Sequence, residues 1–211
     1  MSRAKSGRPK PPGPDRFAAF LNIPYDNEFL ELYLAYIAGL TAFGLTPHAT
    51  LELPGGARRL DRILELIAAC HYSFHDLSRI ELNQRRPATP RFNMPFELGL
   101  TVAWDRAHPN RHTWFVLESK SRRVLKSLSD LAGTDVYIHD GKPHGVFREL
   151  GNALVRSQKQ ATVKSMMLIY DGLRERMPDI VKQAGAKSPF EARVFKDLVV
   201  AASVVPRYPL L

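Results

Sequence analysis

Between Arg91 and Asp105 the chain runs Phe-Asn-Met-Pro-Phe-Glu-Leu-Gly-Leu-Thr-Val-Ala-Trp, and the one ionisable side chain in that stretch is Glu97. Leaving a bare carboxylate among apolar groups costs several kcal/mol or more, so such a group is paired, faces a cleft or takes up a proton. Asn93 reads as an N-cap and Pro95 suits a first turn, which predicts a helix from about Met94 with Glu97 one turn in. There the partial positive charge of the helix end favours the ionised form. Its neighbours at helical spacing are Leu100, Thr101 and Trp104, so Glu97 belongs to a packing face. An ionised carboxylate held this way can stabilise a developing cation or attack an electrophilic carbon. The other reading is a structural acid that satisfies the helix end or an arginine.

Further polar residues stand at the ends of apolar runs. Asp76 closes a strand-like segment, where it can orient a hydroxyl-bearing ligand or cap the next turn. Asn22, Tyr25 and Asp26 follow the first strand-like segment, with Pro24 shaping the turn, and Ser78 can bind a phosphate or cap. The long connection 78–93 holds Arg79, Arg85, Arg86 and Arg91, and loops of such length are often lids or binding loops. Guanidinium groups beside a crevice suit a phosphate or pyrophosphate, with solvated surface arginines as the alternative. Gly55-Gly-Ala-Arg-Arg59 is a weak anion-binding turn that lacks both the full glycine fingerprint and the P-loop lysine. The seven histidines show no pairing at helical or zinc-ligand spacing, and the single cysteine, Cys70, reads as a buried thiol closing an apolar helix. No metal ligand is assigned. Trp104 and Trp114 fall on core-like faces, and Asp140-Gly141 reads as a turn.

These residues are positioned by alternating elements. Strands are expected at 17–23, 46–53, 72–77, 112–117 and 136–139, and helices at 28–43, 60–69, from about 94, 122–131 and 146–156. That alternation argues for a three-layer α/β domain with a mostly parallel five-stranded sheet over residues 16–156. A flavodoxin-like order, 2-1-3-4-5, would place a ligand crevice between the ends of strands one and three. Residues 157–211 carry two more helices, at 163–183 and 190–203, which pack on the domain or mediate self-association as a homo-oligomer.

Lysine and arginine outnumber acids 30 to 21, for a formal charge of +9, which favours a phosphate-bearing partner. Part of the excess lies in residues 1–15, a proline-rich basic tail too poor in apolar groups to order itself. Direct nucleic-acid binding ranks last, because aromatic residues do not interleave with basic ones along the chain. With one cysteine, no apolar leader and no membrane-length apolar run, a soluble cytoplasmic protein is expected.

Asn22-Ile-Pro-Tyr-Asp26, His75-Asp-Leu-Ser78 and Arg91-Phe-Asn-Met-Pro-Phe-Glu-Leu-Gly-Leu100 together resemble the bacterial TIR-like and nucleoside 2-deoxyribosyltransferase-like proteins, over roughly residues 16–155. The resemblance implies a flavodoxin-like sheet and a nucleotide pocket without a required cofactor. By the same likeness, Glu97 would act at the anomeric carbon of a ribosyl group, Asp76 would position the sugar, and the Asn22 to Tyr25 turn would touch base or ribose. Arg91 stands six residues before the glutamate, where deoxyribosyltransferases carry aspartate, and Asn93-Met94 replaces their Gly-Thr. Those departures point to hydrolysis of NAD or a related nucleotide, or to nucleotide sensing without turnover, in a prokaryotic signalling or antiviral defence setting.

Overall fold

The computed structural model describes residues 13–52, 59–83 and 89–204. The first strand, β1 (Asp15–Asn22), alternates its apolar side chains between two cores: Ala19 and Leu21 enter one, Ala18 and Phe20 the other. A strand buried on both faces must lie inside a sheet covered by helices on each side. It pairs in parallel with β2 (Thr46–Ala49) and with β3 (Cys70–Asp76). After a two-residue ribbon, β4 (Leu82–Asn83) with β5 (Thr89–Pro90), come β6 (Thr113–Glu118) and β7 (Val136–Ile138). The main sheet has five parallel strands in the order β2-β1-β3-β6-β7. With the ribbon set aside this is the flavodoxin-like order 2-1-3-4-5, in a three-layer α/β fold.

On one face lies α1 (Leu30–Ala42), whose residues from Leu32 to Ala42 are all buried. A helix apolar all round needs neighbours all round. They are the sheet, α5 (Pro143–Ala153), α6 (Val163–Gln183) and α7 (Ala192–Val204). Met166, Ile169, Tyr170 and Leu173 of α6 and Val194, Phe195 and Leu198 of α7 share one core with α1. The opposite face carries α2 (Arg59–Ala69), through Ile63 and Ile67, and α3 (Asn93–Ala107), through Met94 and Leu98.

Several boundaries differ from expectation. The second strand stops at Ala49, because Glu52 folds back to accept the Ala49 N–H at 3.0 Å in a 3-10 turn over Thr50–Glu52. The fourth helix is only α4 (Arg123–Ser127), broken at Leu128 before a 3-10 turn over Ser129–Leu131. Cys70 opens β3 instead of closing a helix, and burial pushes its thiol up to about 12. Asn93 is already helical; the cap position falls to Phe92, which has no capping side-chain bond. No described helix is long and apolar enough to cross a membrane. Residues 1–12, 53–58, which include the Gly55-Gly56 turn, and 84–88, which include Arg85 and Arg86, lie outside the described residues.

Candidate functional site

Parallel strands deliver their carboxyl ends to one edge of the sheet, and here that edge is polar: Asn22 ends β1, Asp76 ends β3, Glu118 ends β6 and His139 follows β7. All four are buried. The Asn22 Nδ2 group donates to His75 Nδ1 and to the Met94 carbonyl, both at 2.8 Å. One amide thus fastens β1 to β3 and to the first turn of α3.

Behind it runs a buried chain of hydrogen bonds. His75 Nε2 meets Ser73 Oγ at 2.9 Å, Ser73 Oγ meets His112 Nε2 at 2.8 Å, and His112 Nδ1 meets the Cys70 carbonyl at 2.8 Å. A carbonyl only accepts, so His112 Nδ1 donates to it; neutral His112 then accepts from Ser73, Ser73 accepts from His75, and His75 accepts from Asn22. This direction of donation requires both imidazoles to be neutral. Burial agrees, lowering His75 to about 3 and His112 below its ordinary range.

Asp76 is the centre of a second network. Its Oδ2 accepts from the Tyr36 hydroxyl at 2.7 Å and from His139 Nε2 at 2.9 Å, while Oδ1 accepts the Ser78 N–H at 2.8 Å. Burial raises the carboxyl, but His139 and the hydrogen bonds outweigh it and hold Asp76 below the ordinary carboxylate range. Ser78 Oγ also lies 3.1 Å from His139 Nε2, and the Gly141 N–H donates to Nδ1. Serine, histidine and aspartate are all present, yet serine and aspartate share one ring nitrogen while the backbone occupies the other. A nucleophile relay needs them on opposite nitrogens, so this cluster is not a Ser-His-Asp triad.

Glu97 is 6% exposed, in the first turns of α3. Among the described residues no hydrogen bond or ion pair meets its carboxylate; only the backbone carbonyl of Glu97 is engaged, by Thr101 Oγ1 at 3.0 Å. Burial raises its pKa to about 7 against the attraction of Arg59, the first residue of α2. The helix end therefore does not keep it in the ordinary carboxylate range, and desolvation wins. Tyr25 feels the Glu97 charge: burial first and Glu97 second push its phenol up, and its hydroxyl donates to the Leu21 carbonyl at 3.0 Å.

Beside this lies an open cleft of about 330 Å³ lined by Tyr25, Asp26, Asn27, Glu28, Arg79, Arg91 and Phe190. Asp26 caps the 3-10 turn Asn27–Phe29 through the Glu28 and Phe29 N–H groups. Its Oδ2 also attracts Arg79 Nε, at 3.1 Å, and Arg91. Arg79 reaches Glu28 as well. A phosphate entering the cleft must compete with these acids for both guanidinium groups.

Tyr25, Asp26, Arg79 and Arg91 thus come together in one cleft, while Asn22, Asp76 and Ser78 sit in the polar layer at the strand ends. Pro24 is buried in the turn between them, and Asn93 is exposed on α3. Sequence reasoning missed Tyr36, Ser73, His75, His112 and His139. It also missed the staple in which Arg123 binds Glu118, Glu81 and the Ser78 carbonyl. A polar residue closing an apolar strand could have pointed to Glu118 and His139; Tyr36, Ser73, His75, His112 and Arg123 stand within or before elements and carry no such signal. Among the described residues no three His, Cys, Asp or Glu side chains are grouped to hold a metal ion. Comparison with protein-family models, curated proteins and solved structures yields no match.

Proposed function

We propose that this protein binds a nucleotide at the carboxyl edge of its sheet and hydrolyses an N-glycosidic bond of NAD or a related nucleotide, with Glu97 as the catalytic carboxylate. The observation that carries this reading is a buried carboxylate without a hydrogen-bond or ion-pair partner among the described residues, in the first turns of α3 at the strand-order reversal. When nicotinamide leaves NAD, the bonding pair departs with it and positive charge develops on the ribosyl carbon. Ionised Glu97 stabilises or traps that centre, and water completes the hydrolysis. The cleft lined by Tyr25, Asp26, Arg79 and Arg91 holds the rest of the nucleotide. The family resemblance supports the same assignment and a role in prokaryotic defence or signalling.

The test is incubation of the purified chain with NAD and assay of free nicotinamide. Glu97→Gln is expected to lower base release by about a hundredfold or more. Undiminished release from the variant would overturn the catalytic role. One observation favours a second reading, a nucleotide sensor without turnover: the cleft beside Tyr25 does not include Glu97 in its lining. A nucleotide that raises the melting temperature without being cleaved supports that reading. Self-association through the outer faces of α6 and α7, where Leu168, Val200 and Val204 are exposed, would fit a sensor that signals by assembly.

A further inference from the structure

At the edge of the sheet opposite Asn22 and Asp76, the starts of β1 and β3 meet the end of α1 and the loop after α5 in a cleft of about 440 Å³. Arg16, Phe17, His71, Tyr72, Arg156 and Lys159 line it, and no acidic side chain does. The acid nearest in sequence, Asp15, instead accepts the Phe17 backbone N–H at 2.9 Å. Among the described residues no ion pair neutralises Arg16 or Arg156.

The cleft is held in shape from both sides. Gln160 reaches the carbonyls of Leu154, Val155 and Ser157 with its amide, at 3.3, 3.2 and 2.8 Å, fixing the loop that carries Arg156. Gly44, at φ +81°, lies under the Lys159 side chain, where an added Cβ would come within 3.0 Å of the lysine Cδ. Phe17 is 48% exposed, and the Arg16 guanidinium carbon stands 4.6 Å from its ring centre.

Guanidinium groups without acid partners bind phosphate oxygens, and an exposed aromatic ring beside them offers a stacking surface to a base. Along the chain the basic and aromatic residues do not interleave. The fold supplies the interleaving, by bringing Arg16-Phe17, His71-Tyr72 and Arg156 to one place. We propose that this cleft is a second binding site, for single-stranded nucleic acid, with backbone phosphates on Arg16 and Arg156 and one base stacked on Phe17. The chain's charge of +9 assists the encounter.

The test is fluorescence anisotropy of a short labelled oligothymidine with the full chain over a range of salt. Binding is expected to weaken with salt, and Arg16→Ala and Arg156→Ala each to flatten the log–log slope by roughly 0.7, the change for one phosphate that the protein no longer neutralises. Phe17→Ala should weaken binding roughly 5- to 100-fold with the slope unchanged, while Phe17→Tyr, which keeps a stacking ring, retains it. All three positions line an open cleft, and a melting curve of each variant checks that the fold survives. Three outcomes overturn the proposal. The first is no binding at low salt. The second is full affinity in the cleft variants, with loss only when Arg3, Lys5, Arg8 and Lys10 are replaced by serine. The third is binding of adenosine monophosphate at the cleft with none of the oligonucleotide.

Discussion

Glu97 could be singled out from the sequence because one charge in an apolar helix is a local anomaly, visible without any tertiary knowledge. Its ionisation could not, since that depends on how deeply the folded chain buries it. With its pKa raised from 4.5 to about 7, the folded protein keeps a proton that the unfolded chain has released. Stability is therefore present below pH 4.5 and lost as pH rises through 7, by up to about 3 kcal/mol. Glu97→Gln removes this loss: its melting temperature should exceed that of the wild type by several degrees at pH 8 and match it near pH 4. Equal melting temperatures at pH 8 would mean that the carboxylate is satisfied in the fold. A residue that weakens the fold at the pH where it would act is the usual cost of a functional site.

At the scale of elements, apolar spacing located most strands and helices because it follows directly from which face must be buried. It failed where a local bond intervened, as when Glu52 ends β2 early, and where a break such as Leu128 splits a helical pattern. Close approach is equally invisible to periodicity. Asp140 and Gly141, at φ 56° and 67°, form a left-handed turn closed by the Lys142 N–H on the His139 carbonyl, and α5 starts directly after it. A Cβ on Gly145 would lie 1.9 Å from that same His139 oxygen. Gly145→Ala should therefore cost about 2 kcal/mol or more, because backbone cannot step aside. Gly151 lies in the same helix with nothing within 4 Å of an added Cβ. Gly151→Ala should instead stabilise by roughly 0.5–1 kcal/mol through helix propensity. Urea denaturation of the two variants distinguishes these opposite signs.

The parallel three-layer sheet of the whole molecule was legible because strands and helices alternate, whereas its flavodoxin-like order came only as an expectation of the family resemblance, and the fold has that order. The polar layer at its edge was not legible, because Tyr36 of α1, Asp76 at the end of β3 and His139 after β7 meet only through tertiary packing, across long separations in the chain. That layer sets the response to acid. His75 is held near 3 in the fold against 6.5 ordinarily, so the unfolded chain takes up a proton first. Its contribution is fully present above pH 6.5 and lost as pH falls through about 3, while Asp76, depressed by His139, loses its own below the ordinary carboxylate range. Because the His75 loss exceeds what Glu97 gains on taking up its proton, the melting temperature should fall from pH 6 to pH 3. In His75→Gln it should be lower at pH 7 but decline less over that interval; an unchanged acid slope would exclude His75 as the group responsible. The same buried chain has a sense of direction. Because the Cys70 carbonyl can only receive, His112 carries its hydrogen on Nδ1 and His75 carries its own on Nε2. Two like residues are thereby made unlike, and information about one end of a strand is written into the proton arrangement at the other.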